Sequence, residues 1–192
     1  MKYFIFAICI LALSCTSPNP KPSVVSNSDS TAIKEVTEHK HDDTTNYQCH
    51  TLEVTGEVKH PLELNIDSLK KMNVFSGSGA DIVCESGAKK SETGSFKGVS
   101  LKSLIEKAEL KQESHKERGF YFIAEAADGY KAIFSWGEIF NSEAGEKILV
   151  LFEKDGKKIE PKGDFAVLCL NDLKTGPRHV YFLKSIKVCK VN

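Results

Sequence analysis

The sequence has little arginine and no excess of either charge. Its 26 basic residues include only two arginines, Arg118 and Arg178, and 26 acidic residues balance the total. Proteins that bind nucleic acid through their charge carry a clear basic excess, usually clustered on one face. The composition therefore predicts no nucleic-acid partner, and the scarcity of arginine makes each of the two worth explaining.

Several well-known catalytic motifs are also missing. The chain has no glycine-rich phosphate loop, no His-Glu-x-x-His, no Cys-x-x-Cys and no nucleophile elbow around a serine. Its apolar run from Tyr3 to Leu13 is too short to span a bilayer, which takes about 20 residues. The sequence gives no support to a nucleotide-binding loop, a zinc peptidase or a serine hydrolase.

The first residues have the pattern of a secretory leader, with Lys2 as the charge and Tyr3 to Leu13 as the apolar core. The leader ends in Leu-Ser before Cys15, which resembles the lipobox of bacterial lipoproteins. The resemblance implies that residues 1–14 are removed, that Cys15 is lipidated, and that the lipid anchors the protein to a membrane of the cell envelope, outside the cytoplasm. An ordinary signal peptide with an incidental cysteine is the alternative.

Residues 15–48 are predicted to be the lipidated cysteine and a disordered tether. Prolines alternate near its start, and polar residues without large apolar partners follow, so the segment cannot bury enough surface to offset the entropy of ordering. The end of the tether carries potential metal ligands, namely Glu38, His39, His41, Asp42 and Asp43, with Cys49 and His50 just beyond. Their spacing matches no strong ligand motif, which favours a solvated linker.

Residues 49–192 are predicted to form one domain of the α+β class, mixed and rich in strands. The clearest helix begins after Ser100 as N-cap, because Leu101, Leu104, Ile105 and Ala108 recur at helical spacing. A second, short helix is predicted behind Asp67, and the Ser/Gly-rich segment before Asp81 is left without a strand. Strands are predicted at 52–58, 62–66, 81–84, 120–125, 130–134, 148–153, 157–160, 165–170 and 179–188. The dipeptide Asp155-Gly156 favours a type I′ turn.

The order of these pieces resembles the sulfite-oxidase-type molybdopterin-binding domain. The resemblance rests on five segments: Gly56-Glu57-Val58, Leu62 to Met72, Val83-Cys84 with Lys89-Lys90-Ser91-Glu92, Phe96 to Leu104, and Gly176-Pro177-Arg178-His179 through Leu183. It covers nearly all of residues 52–188.

This resemblance implies roles for five residues. Cys84 falls at the family's molybdenum-thiolate position, Lys89 and Lys90 at a basic pair near the pterin, and Arg178 and His179 in the closing segment. A soft thiolate suits molybdenum, and lysines suit a phosphate charge. A molybdopterin cofactor would supply oxygen-atom transfer. A structural thiol at Cys84 and a turn-end pair at Arg178-His179 are the alternatives.

Three hypotheses of function follow. The basic pair is Lys-Lys where the enzymes favour arginine, and the leader lacks the twin arginine by which folded cofactor proteins are exported. We therefore expect the domain to bind a small ligand or an envelope protein at the family's cofactor cleft. An active molybdenum oxidoreductase using Cys84 is the second hypothesis, and a purely structural envelope lipoprotein is the third.

Cys49, Cys84, Cys169 and Cys189 remain once the leader is removed and Cys15 is lipidated. Their compartment favours oxidation, and four cysteines allow three complete pairings. Cys49 precedes the first predicted strand and Cys189 follows the last. If those strands are neighbours, a Cys49–Cys189 disulfide is expected, with Cys84 left as a thiol.

Overall fold

A computed structural model describes residues 47–191. The predicted leader, Cys15 and the tether up to residue 46 lie outside these described residues. Within residues 47–191, none of the helices has the length and apolar character needed to cross a membrane.

The described chain folds into two β-sheets with three short α-helices, so the predicted α+β, strand-rich class is confirmed. The strands are β1 (Leu52–Gly56), β2 (Leu62–Leu64), β3 (Val74–Val83), β4 (Lys89–Ser100), β5 (Phe120–Ala126), β6 (Lys131–Ser135), β7 (Ile148–Lys154), β8 (Ala166–Cys169) and β9 (Leu183–Lys190). The helices are α1 (Ile66–Lys70), α2 (Leu101–Ala108) and α3 (Trp136–Phe140), with 3₁₀ turns at Glu143–Lys147 and Gly176–Arg178.

One sheet has the strand order β2-β1-β9-β5-β6 and the other the order β3-β4-β7-β8. β1 and β9 are the parallel pair, and the remaining neighbours are antiparallel. The larger core cluster includes residues of both sheets together with the buried face of α2. A smaller cluster, with Ile82, Phe96 and Ile159, includes the alternate residues of β7 and β8. Five consecutive residues of β7, 148–152, are consequently buried, as expected for a strand covered on both faces.

Helix α2 forms as predicted. The Ser100 hydroxyl accepts a hydrogen bond from the Ser103 amide at 3.1 Å, which caps the first turn. The four apolar residues of the predicted stripe are fully buried: Leu101, Leu104, Ile105 and Ala108.

Other predicted elements are corrected by the structure. The cap of α1 is Asn65, whose side chain accepts from the Ser68 amide at 2.9 Å, rather than Asp67. The Ser/Gly-rich segment is part of β3, because β4 pairs along it in register. The predicted strand at 157–160 is absent from the described fold, and β8 takes its place beside β7. The last strand begins at Leu183, and the 3₁₀ turn and an isolated bridge at Val180 occupy the segment before it.

Candidate functional site

A cavity of about 510 Å³ opens where the end of the β3–β4 hairpin meets the β5–β6 turn and the segment after β8. We call it the cleft. The hairpin contributes Cys84, Lys90 and Ser91, and the β5–β6 turn contributes Asp128 and Tyr130. The later segments add Lys162, Gly176, Pro177, His179, Tyr181 and Phe182. Its volume lies within the range of small-molecule sites.

Cys84 follows the last residue of β3 and lines the cleft half-buried. Its amide donates to Ala88 at 2.9 Å and its carbonyl accepts from Gly87 at 2.9 Å, so a tight turn holds it. Thr175 links this strand end to the segment after β8. Its hydroxyl donates to the backbone carbonyl of Asp81 and accepts from the Val83 amide. The position of the thiol is therefore set by two elements.

Gly176 fits closely against the same strand end. A Cβ at this position would lie 2.8 Å from the Val83 carbonyl oxygen, which is closer than real Cβ contacts. The close approach brings the 3₁₀ turn against β3, and His179, directly after this turn, lines the same cavity as Cys84.

The predicted basic pair is divided between two surfaces. Lys90 lines the cleft. The Lys89 ammonium instead lies 2.6 Å from the Asp81 carboxylate and 3.3 Å from Glu92. These contacts, the hydrogen bond to Asp81 first, raise the pKa of Lys89.

Arg178 also does not line the cleft, contrary to its predicted place there. Its guanidinium donates to both oxygens of Asp172, at 2.8 and 2.5 Å, and to Glu138 at 2.5 Å. It packs over Phe134, 4.9 Å from the ring centroid. The hydrogen bonds to Asp172 are the main cause that raises the pKa of Arg178. A bidentate pair with a second carboxylate satisfies the arginine within the fold, so its role is structural.

His179 is the most unusual side chain of the cleft. Its Nδ1 atom is buried and has no hydrogen-bond partner among the described residues. Burial, together with the positive charges of Lys162 and Lys154, lowers the pKa of His179 to about 4. The imidazole is therefore neutral at physiological pH, and its unpartnered nitrogen lies inside the fold rather than at the surface of the cavity.

Tyr181 and Lys162 extend this wall of the cleft. The rings of His179 and Tyr181 have centroids 4.0 Å apart, and the Lys162 ammonium lies 4.0 Å from the Tyr181 centroid. Sequence reasoning missed both residues. No sequence pattern pointed to Lys162, and only the fold brings it to the cavity that His179 lines.

The structure contradicts the expected Cys49–Cys189 disulfide. β1 and β9 are neighbours, but they are parallel, with Glu53 level with Ser185 and Gly56 level with Val188. Cys49 precedes β1 and Cys189 lies near the end of β9, so the thiols are at opposite ends of the pair. All four cysteines of the described chain are free thiols, including Cys84. Burial raises the pKa of Cys169 to about 12.

The described residues contain no group of three or more His, Cys, Asp or Glu side chains able to hold a metal. His50, just beyond the predicted tether, instead hydrogen bonds to Asp164 at 2.9 Å.

Comparison with known protein families identifies the family of this chain. The family described as "Oxidoreductase molybdopterin binding domain" matches residues 39–192. The chain belongs to this family. Comparison with curated protein sequences gave no significant match.

Solved structures support the same fold. The crystal structure of the sulfane dehydrogenase SoxCD from Paracoccus pantotrophus superposes with a TM-score of 0.55 and is 17% identical in sequence. The match covers 74% of this chain and 38% of the SoxCD chain. At this identity the likeness concerns the fold alone, and this molybdopterin-binding domain spans well under half of the SoxCD chain.

The residue types that line the cleft suit the family's cofactor. The Cys84 thiol has the softness that molybdenum prefers, and Lys90 and Lys162 carry the charge that a pterin phosphate needs. Lys89 and Arg178 do not contribute, because carboxylates hold both of them elsewhere.

Proposed function

We propose that this protein is a lipid-anchored protein of the bacterial cell envelope whose molybdopterin-type cleft binds a small anionic ligand. The observation that carries the proposal is that one cavity is lined both by Cys84 and Lys90 and by His179, which lies far later in the sequence. The proposal of a lipid anchor is based on the leader and Cys15. The proposal of an anionic ligand is based on the side chains that line the cleft.

The cleft is suited to an anion with an unsaturated or ring-shaped body. Lys90 and Lys162 line it and have no carboxylate within 4.0 Å among the described residues, so both charges remain available. Asp128 and Glu85 lie at the cavity too and would orient polar groups of the ligand. The His179 and Tyr181 rings, 4.0 Å apart and tilted by 32°, give an aromatic wall for the ligand body.

A molybdenum oxidoreductase is the second candidate, and the position of Cys84 favours it. Cys84 would hold the metal, and Lys90 and Lys162 would hold the phosphate of the pterin. When bound, such a cofactor supplies oxygen-atom transfer. The neutral imidazole of His179 would offer a hydrogen bond without adding charge.

The test is analysis of the full-length chain purified in detergent from its own envelope. We expect mass spectrometry after denaturation to find one organic anion near one molecule per chain, and elemental analysis to find no stoichiometric molybdenum. The Cys49→Ala variant, which alters a thiol away from the cleft, should retain the anion, and His179→Ala should lose it.

Two outcomes would overturn this assignment. Molybdenum near one atom per chain, retained in Cys49→Ala and lost in Cys84→Ala, would place the oxidoreductase first. A chain that carries neither an anion nor a metal would contradict ligand binding at the cleft and favour a purely structural role.

A further inference from the structure

A second cavity involves β3, which is the edge strand of the four-stranded sheet. Its volume is about 520 Å³, and it has no lining residue in common with the cleft. It is lined by residues of β3 between Phe75 and Val83, and by Leu170, Asp172, Leu173 and Thr175 of the segment after β8. We call this cavity the edge groove.

The backbone of β3 is open to pairing along part of this groove. The Thr175 hydroxyl donates to the Asp81 carbonyl, which therefore points away from β4. β3 keeps one register with β4 over residues 74–82, and alternate residues of an antiparallel strand direct their backbone groups to the same side. Phe75 and Gly77 thus direct theirs outward as Asp81 does. Among the described residues, no loop or side-chain group hydrogen bonds to the backbone of Phe75 or Gly77.

This open stretch lacks the features that usually protect an edge strand. Such strands are short, carry charge or proline, or are covered by another segment. Residues 74–78 contain neither charge nor proline, and the stretch ends only at Gly79, whose φ of 74° departs from strand geometry. The other edges of the described sheets are protected: β2 has three residues, β6 begins with Lys131, and Val180 pairs with Val167 of β8. β3 is thus the edge that a further strand can join.

The edge groove also exposes apolar side chains. Phe75 is 42% exposed and Leu173 is 97% exposed, and both line the groove. The Phe75 ring stacks on Phe96 with centroids 6.3 Å apart. Gly77 makes room for Phe96, since a Cβ at this position would lie 2.6 Å from the ring. Large apolar side chains exposed together in one concave site are typical of an interaction surface.

The charged residues that line the edge groove are acidic. They are Asp81 and Asp172, and no lysine or arginine of the described chain lines it. Arg178 holds the Asp172 carboxylate, which is largely buried. The Asp81 side chain contacts Lys89 but remains 46% exposed. A basic residue of a partner would be attracted to Asp81, and an acidic one would be repelled.

We propose that the edge groove binds an extended segment of a partner protein, which adds a strand to β3. The segment is apolar at alternate positions, where it contacts Phe75 and Leu173, and it carries a basic residue near Asp81. Main-chain hydrogen bonds to residues 75 and 77 supply the affinity, and the side-chain contacts supply the specificity. The inference goes beyond the proposed function and holds whatever the cleft binds, because the two cavities share no lining residue.

The test uses the fluorescein-labelled peptide Lys-Val-Thr-Val-Thr-Val-Lys, blocked at both termini, and a counterpart with glutamate at both ends. Fluorescence anisotropy is measured with the full-length chain in detergent. We expect the lysine-ended peptide to bind at least about tenfold more tightly than the glutamate-ended one. Its binding should slow hydrogen exchange at the Phe75 and Gly77 amides, which apolar contact without strand pairing would not do.

Two variants with the same change of charge locate the binding. Leu173→Lys should weaken binding of the lysine-ended peptide at least about tenfold. Its fold should be intact, because Leu173 is almost fully exposed. The matched control is Ile133→Lys, which alters an exposed apolar residue of β6 in the other sheet. The control should change the affinity less than about twofold.

Several results would overturn the proposal: no binding of either peptide, equal affinity for both, equal weakening in the two variants, or unchanged exchange at Phe75 and Gly77. Sedimentation of the chain without peptide tests a different occupant. A dimer that dissociates in Leu173→Lys but persists in Ile133→Lys would assign the groove to a second copy of this chain and overturn the partner segment.

Discussion

Lys89 and Lys90 are consecutive residues of β4, yet their ammonium groups lie in different environments. Lys90 lines the cleft, whereas Lys89 is held 2.6 Å from the Asp81 carboxylate on the neighbouring strand. Successive side chains of a strand point to opposite faces, so one strand cannot present both lysines to one ligand. The two residues form a natural matched pair for mutation.

Lys90→Ala should lower ligand retention by the chain strongly, and Lys89→Ala should leave it unchanged. Both variants remove one charge from an exposed lysine of the same strand, so a general electrostatic effect would act on both equally. The measurement is the amount of ligand released from each purified variant on denaturation. Equal losses would show that the cleft does not use Lys90 as a specific contact.

Arg178→Ala should destabilise the fold by about 2 kcal/mol, because Asp172 and Glu138 would lose their partner in a partly buried setting. Arg118 is the matched control. It lies over Trp136, 4.2 Å from the ring centroid, and Arg118→Ala should cost under about 1 kcal/mol. Urea unfolding measures the stability of both alanine variants.

A folded Arg178→Lys variant should retain as much ligand as the wild type. Loss of the ligand from this variant would show that Arg178 belongs to the binding site.

The buried His179 should make the fold less stable as the pH falls. The pKa of His179 is about 4 in the folded chain, below the ordinary histidine value of 6.5, so the unfolded chain binds a proton more readily between these two pH values. Stability is thus lost as the pH falls through 6.5 toward 4, by roughly 2 kcal/mol between pH 7 and pH 5. Urea unfolding of the wild type and His179→Gln at both pH values measures the effect. An identical pH dependence in the two proteins would contradict a neutral, buried imidazole.

Cys15→Ser should release the protein from the membrane or leave it unprocessed. The leader that ends at this cysteine predicts lipidation, and stable anchoring requires more than one acyl chain. Fractionation of cells that express each form measures the result. A variant that remains in the membrane fraction at the wild-type level would contradict the lipid anchor.

Sequence patterns predicted the parts of the fold that depend on local preference. Helix α2 followed from the spacing of its apolar residues and from Ser100, and β5 and β6 from alternation about Asp128-Gly129. The long β3–β4 hairpin was missed because Gly77, Ser78 and Gly79 have low strand preference. Pairing with β4 over nearly the whole of its length overrides that preference.

The candidate site, like the fold, was predicted from the sequence only in part. The family resemblance pointed to Cys84, Lys90 and His179, which the fold brings together. No strand was predicted at Lys89 and Lys90, so the alternation along β4 that separates the two side chains was visible only in the structure. Arg178 could not be excluded in advance, since its partner Glu138 comes from a distant element.

Strand β9 is the middle member of its sheet, with β1 on one side and β5 on the other. A ribosome makes this strand after every other strand, so the sheet lacks its centre until synthesis has passed residue 190. The β1–β2 hairpin has no other neighbour in that sheet to pair with before then. We expect the domain to fold after synthesis in a single late step governed by contacts of long sequence separation. Before that step we expect the unpaired strands to be exposed to chaperones and proteases, so a frameshift or premature stop within β9 would remove the protein rather than shorten it.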